Sequence, residues 1–245
     1  MFFLAYRQWN RHRYHRSFVL AKRNTMRTKQ SIAVIGATGN MGAAISKSLS
    51  KGNYRILLCS KDPDKARILE EQILSDTPSA DIEAVSCFNQ ASWEADIIIS
   101  AVPFHAEKEL AEEIKEVANQ KIVISIANPL NESYNGLVTA PDTSAAEELQ
   151  KLLPNSKVIK AFNTTFALDF SNPVIDDKQI DAFIAGDDED ALQIVSELVT
   201  TAGFNPIIAG NLSVSRTLEN MQLLLIQLGM KYNYNWLAGW KILHN

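Results

Sequence analysis

The sequence predicts an α/β protein built on a doubly wound parallel sheet, and three observations carry that expectation. Short, continuous apolar runs recur along the chain, as parallel strands covered on both faces require. Amphipathic helical patterns separate most of these runs and supply the crossovers that parallel strands need. A glycine-spaced turn joins the first run directly to the first helix. At 245 residues the chain suits one such domain, or one domain with a small appendage.

The first strand, Ile32-Ala33-Val34-Ile35, runs into Gly36-Ala37-Thr38-Gly39-Asn40-Met41-Gly42. A helix follows with Ala43, Ile45 and Leu49 on its apolar face, then a second strand over residues 54–59. Pro63 suits the first turn of a helix over 63–74, with Ala66, Ile68, Leu69 and Ile73 as its stripe. The run at 96–101 reads as a central strand and ends in Val102-Pro103-Phe104-His105. A helix is expected over 106–119 and a strand over 121–126. Residues 127–143 have no period, and a loop of that length in a compact domain is usually functional. Helix resumes at 144–153, followed by strands at 157–162 and 180–185, a helix at 189–202, and a strand at 205–209. The longest helical pattern, 212–230, closes the chain. Met221, Leu223, Leu224, Leu225, Ile226 and Leu228 make it apolar around much of its circumference, interrupted by Gln222 and Gln227. Such a helix wants burial on more than one side, in the domain core or against a second copy.

The glycine turn points to a dinucleotide and to an NAD(P)-binding Rossmann fold. Gly36 allows the tight turn, Gly39 lets backbone N–H groups approach a pyrophosphate, and Gly42 lets the helix pack close to the sheet. Phosphates are expected at the helix N-terminus, where unpaired N–H groups and the helix dipole favour negative charge. The spacing is G-x-x-G-x-x-G, so its strand-before, helix-after context carries the inference. The end of the second strand selects the cofactor. An NAD enzyme usually places Asp or Glu there for the ribose 2′-OH, whereas this strand ends Cys59-Ser60-Lys61, with Lys65 one turn on. A hydroxyl and two ammonium groups suit a 2′-phosphate, so NADP is expected; Asp62 is the counter-indication.

Composition narrows the class further. Residues 1–25 hold six basic and no acidic side chains, whereas the whole chain has 24 basic and 28 acidic residues. The remaining 18 basic residues against 28 acidic ones leave an acidic body, which argues against nucleic acid as a partner. The basic arm 1–25 is expected to be a disordered tail or sequence upstream of the true start rather than a targeting peptide, leaving 26–245 as the domain. No apolar run approaches the roughly 18 residues of a membrane span. Cys59 and Cys87 make neither a disulfide framework nor a metal-ligand spacing, and a cytoplasmic location is expected.

Several separated segments together resemble the coenzyme F420-dependent NADP oxidoreductases. They are Gly36 to Gly42; Ser60-Lys61 with Lys65-Ala66; Ala101-Val102-Pro103-Phe104; Ser144 to Glu147 leading into Lys157 to Thr164; and Ala209-Gly210-Asn211-Leu212-Ser213. The resemblance covers residues 30–245. It implies that Thr38, Asn40 and Met41 line the pyrophosphate turn, that Ser60, Lys61 and Lys65 meet the 2′-phosphate, and that Val102, Pro103 and Phe104 lie along the nicotinamide. It also implies a homodimer. Lys160-Ala161-Phe162-Asn163-Thr164 departs from the Ala-Leu-His-Thr-like strand end of the archaeal deazaflavin enzymes. It is more similar to bacterial relatives and to the cytosolic domain of the six-transmembrane metalloreductases, whose acceptor is a flavin. The expected acceptor is therefore a ring of the F420, FMN or FAD type.

A sparse acid–base inventory suits hydride transfer between stacked rings. His105 could line the site or serve structure alone, and Asn163 could hold a carboxamide or carbonyl or cap a helix. No residue is assigned proton transfer. A short-chain reductase would need Tyr-x-x-x-Lys, which is absent. A non-catalytic NADP-binding redox regulator and an imine or keto reductase of the pyrroline-5-carboxylate reductase type are the alternatives, although little chain remains after residue 211 for the latter's helical domain.

Overall fold

The computed structural model describes residues 29–244; the arm at 1–25 lies outside the described residues. The first half of the domain alternates β1 (Gln30–Ile35), α1 (Asn40–Leu49), β2 (Tyr54–Cys59), α2 (Pro63–Asp76), β3 (Asp81–Val85) and α3 (Phe88–Glu94). The chain then returns to the middle with β4 (Ile97–Ser100), α4 (Phe104–Ile114), β5 (Ile122–Ser125), α5 (Ala145–Leu152) and β6 (Lys157–Lys160). A 3-10 turn at Ala167–Phe170 and a small hairpin, β7 (Val174–Ile175) and β8 (Lys178–Gln179), lead to β9 (Asp181–Gly186), α6 (Glu189–Thr201) and β10 (Asn205–Gly210). A second 3-10 turn, Leu212–Val214, opens into the C-terminal α7 (Ser215–Tyr232).

The eight-stranded sheet has the order β10-β9-β6-β5-β4-β1-β2-β3. Strand order reverses between β1 and β4, and such a switch point opens a crevice at the strands' carboxyl ends. Alternate residues of β1 feed the two faces. Ile32 and Val34 join Ile45, Leu49, Ile73 and Val195 in one apolar cluster, while Ala33 and Ile35 join Leu110, Ile114 and Leu149 in the other. Burial of both faces explains why the central strands read as unbroken apolar runs.

The structure adds to and alters the expected pattern in three places. β3 and α3 went unrecognised because β3 is an edge strand with Ile82 its one buried residue, so its apolar signal is weak. α4 starts at Phe104, two residues earlier than the periodicity suggests, because Pro103 sits at its N-cap. The sheet is parallel from β3 to β6, but β9 pairs with β6 antiparallel and β10 runs parallel to β9. The link from β6 to β9 contains no α-helix, so the chain returns as a hairpin-like connection rather than a crossover.

Candidate functional site

The turn between β1 and α1 is held by its own backbone. The N–H groups of Gly36 and Ala37 both donate to the Cys59 carbonyl at 2.9 Å, locking the turn to the end of β2. Gly36 has φ +87°, and a Cβ there would lie 2.5 Å from the Ala101 carbonyl oxygen. A Cβ on Gly42 would collide with the Gly36 carbonyl. Gly39 differs: it has ordinary φ −72°, and a Cβ would meet only the Gly36 oxygen at 3.4 Å. Two glycines are thus demanded by the fold, and the third leaves an open approach to the first turn of α1. That turn has no capping side chain and no acidic residue, so its unpaired N–H groups remain available to an anion.

At the end of β2, Ser60 is buried and its Oγ lies 2.7 Å from Thr38 Oγ1, tying the glycine turn to the strand end. Ser60 Oγ also accepts the Asp62 N–H at 3.1 Å. Asp62 is the N-cap of α2, accepting the Lys65 N–H at 3.2 Å, with Lys65 Nζ 3.4 Å away. Those contacts, the Lys65 backbone N–H foremost, hold its carboxyl below the usual range. The carboxylate that counted against NADP therefore has a structural task. Lys61 reaches Glu109 on α4 at 3.7 Å, both side chains largely exposed; such a pair contributes little and yields readily to a stronger anion.

Two cavities open beyond this turn. The larger, about 670 Å³, runs from Thr38, Asn40 and Met41 past Phe162 and Asn163 to Gln222, Ile226 and Trp236. The second, about 560 Å³, is lined by Pro103, Phe104 and His105 and by the 127–138 loop. Asn128 lines both. Ala101 and Val102 sit against Gly36, so the segment 101–104 joins the glycine turn to the second cavity. Ser60 and Lys61 follow directly on β2 and Lys65 lies in the first turn of α2, and none of the three lines either cavity. His105 is exposed at the rim of the second.

Asn163 and Asn128 form a reciprocal pair. Asn163 Nδ2 donates to Asn128 Oδ1 at 2.9 Å, and Asn128 Nδ2 donates to the Asn163 carbonyl at 3.0 Å. Asn163 is 1% exposed, and its Oδ1 has no hydrogen-bond partner among the described residues. The residue before it, Phe162, has φ +59°, an uncommon conformation for an aromatic residue. This kink at the end of β6 brings Phe162 and Asn163 onto the cavity wall.

Behind the wall lies a buried charged cluster that sequence reasoning missed. Lys160 and Glu219 are both fully buried and pair at 2.6 Å. Lys160 also donates to the Ala127 carbonyl, next to Asn128. Glu219 Oε2 accepts the Ala145 N–H at 3.2 Å. Glu107 of α4 accepts from Ser100 and Ser125 at 3.4 Å, and burial pushes its carboxyl up to about 7 despite the nearby Lys160. Burial likewise pushes Asp169, in the 3-10 turn by the cavity, up to about 7. Gln222, also unassigned from sequence, is 3% exposed, and its Oε1 has no partner among the described residues. It belongs to the inward face of α7 with Leu218, Glu219, Leu225 and Ile226, while Leu224 and Met230 are exposed. The signal was present in the i, i+4, i+7 spacing, but it requires a polar residue to be assigned to the buried face.

Residues 31–129 match the family model described as "NADP oxidoreductase coenzyme F420-dependent". The F420-dependent NADP reductase of Methanocaldococcus jannaschii is 34% identical over 212 residues, covering 82% of this chain and 93% of that protein. Human metalloreductase STEAP2 is 27% identical over 202 residues, covering 82% of this chain but 37% of that protein. Among solved structures, a candidate F420-dependent NADP-reductase from Arthrobacter sp. FB24 superposes with TM-score 0.76 at 22% identity, covering 88% of this chain and 100% of that one. A pyrroline-5-carboxylate reductase from Coxiella burnetii gives TM-score 0.59 at 18% identity, over 86% and 73%, and so shares the fold. With a third of the aligned residues shared with the Methanocaldococcus jannaschii protein along nearly that protein's whole length, the chain belongs to the coenzyme F420-dependent NADP oxidoreductase family.

Proposed function

We propose that this NADP-dependent oxidoreductase passes hydride between NADPH and a deazaflavin or flavin-type ring. One observation carries the reading: among the described residues, Lys47 is the single ionisable side chain lining the 670 Å³ cavity. That cavity is otherwise apolar or carries uncharged polar groups, so it offers proximity, face selection and exclusion of water more than proton transfer. The nicotinamide supplies the hydride, and the protein's share is to hold two rings in contact.

The residues fit NADP. The open approach at Gly39 and the uncapped first turn of α1 (Asn40, Met41) suit a pyrophosphate, with Gly36 and Gly42 bringing that turn against the sheet. Ser60, Lys61 and Lys65, at and just after the end of β2, would meet a 2′-phosphate, and Asp62 is engaged as a helix cap. Ala101, Val102, Pro103 and Phe104 lead from the glycine turn along the nicotinamide. The unpartnered Asn163 Oδ1 suits a carboxamide N–H. The same reading makes the protein a cytoplasmic homodimer, with the exposed Leu224 and Met230 of α7 facing the second copy.

The test follows NADPH absorbance with coenzyme F420, FMN, FAD and a ferric chelate offered in turn. Turnover with a ring acceptor is expected. Tight NADPH binding with no turnover would instead make the protein a redox regulator. Lys61→Asp is expected to shift preference at least tenfold toward NADH, and a wild-type preference for NADH would overturn the 2′-phosphate site.

A further inference from the structure

The inward face of α7 carries Leu218, Glu219, Gln222, Leu225 and Ile226. Glu219 is satisfied by Lys160 and the Ala145 N–H. Gln222 is not: its Oε1 is fully buried without a partner among the described residues, a condition that works against the fold. Protein interiors rarely retain such a group unless a ligand or water completes it. The side chain lines the large cavity, across which lie flat or deformable groups. Phe166 and Trp236 meet edge to face at 5.5 Å, with Phe162, Met41 and Ile226 completing an apolar slot.

A side-chain carboxamide sets one acceptor beside two donors. Its complement on a flat ring is a C=O next to an N–H, the imide edge of a pyrimidinedione. Oxidised flavins and deazaflavins both carry that edge, and the imide N–H is the one ring N–H donor of the flavin. The geometry points to Gln222 as the specificity-determining residue that reads the imide edge of the acceptor ring, with Oε1 accepting the imide N–H and Nε2 donating to an adjacent carbonyl. Asn163 already uses one of its two Nδ2 hydrogens on Asn128. This assignment rests on the ring-acceptor reading above and names what in that site selects the acceptor: chelated metals and quinones lack the edge. A site built around a hydrogen bond discriminates strongly against an analogue that cannot make it.

The experiment measures kcat/KM at saturating NADPH for FMN and for the 8-hydroxy-5-deazaflavin chromophore, each beside its imide-N-methylated form, in wild type, Gln222→Leu and Gln222→Glu. NADPH affinity in each variant reports on folding. Wild type is expected to lose at least tenfold on methylation. Gln222→Leu is expected to lose less than threefold between the two forms while binding NADPH normally, because Leu matches Gln in bulk but cannot accept the N–H. Gln222→Glu retains the acceptor and is expected to restore the discrimination. Equal turnover of methylated and unmethylated rings by wild type would overturn the role of Gln222 and leave the ring-acceptor function standing. Discrimination that persists in Gln222→Leu would do the same. If neither ring oxidises NADPH, the ring-acceptor reading falls and this assignment with it.

Discussion

Replacing Lys160 by Met tests whether the buried charge cluster holds the site together. Lys160 and Glu219 are fully buried, 2.6 Å apart. Lys160→Met leaves the Glu219 carboxylate with the Ala145 N–H alone. Stranding one partner of a buried pair costs about 3–5 kcal/mol. The Ala127 carbonyl also loses its donor, a bond worth about 1 kcal/mol net, part of which is already counted in that range. A loss of about 4 kcal/mol is therefore expected, a large share of the roughly 5–15 kcal/mol that holds a typical domain. Urea unfolding followed by tryptophan fluorescence at pH 7.5 measures it. Lys160→Met with Glu219→Gln removes both charges and should recover most of the stability. A single-mutant loss below about 1 kcal/mol, or a double mutant no better than the single, would refute the reasoning.

Three further outcomes follow from the same structure. Glu107, pushed up to about 7 by burial, keeps its proton in the fold between pH 4.5 and 7, where the unfolded chain has released it. Its contribution to stability therefore falls as pH rises through that window and is flat above it. Glu107→Gln should gain up to about 3 kcal/mol over wild type at pH 8 and nothing at pH 4; unfolding midpoints across pH decide it. Asp169 adds a slope of the same sign, so wild-type pH dependence should be reduced but not abolished. Gly42→Ala forces a Cβ into the Gly36 carbonyl and should cost about 2–3 kcal/mol, whereas Gly39→Ala should fold within about 0.5 kcal/mol of wild type yet bind NADPH at least tenfold more weakly. Thermal melts with and without NADPH separate the two; equal behaviour of the two variants would contradict the division of labour among the glycines.

Much of the fold was legible because both faces of the central strands are buried. Ile97 to Ile99 and Ile122 to Ile124 admit one interpretation, and the glycine turn follows from backbone sterics that sequence states directly. Direction in the last two strands was not legible. It depends on a 20-residue return through a 3-10 turn and a two-residue-per-strand hairpin, too short to show a period. The expectation of NADP could be drawn from sequence because Ser60, Lys61 and Lys65 are neighbours in the chain. The large cavity could not be, since Gln222, Trp236, Phe162 and Asn128 meet only after folding. Lys160 and Glu107 look like solvent-facing charges until the partners that permit their burial, 59 and 18 residues away, are in place.

The reversed pair β9–β10 sets the course of α7. Because those strands run against the others, the chain leaves β10 through Leu212, whose N–H meets Asp187 at 3.0 Å, and the helix then carries Glu219 to Lys160 at the end of β6. Its 18 residues give about 27 Å of rise, enough to pin Glu219 in the interior, present Gln222 and Ile226 to the cavity, and release Trp236 at its mouth. The bolt and the reading head are thus three residues apart on a single rod. Inserting one residue between Glu219 and Gln222 would turn the cavity-facing surface by about 100° with the rest of the sheet intact, so acceptor choice is geared to the phase of one helix.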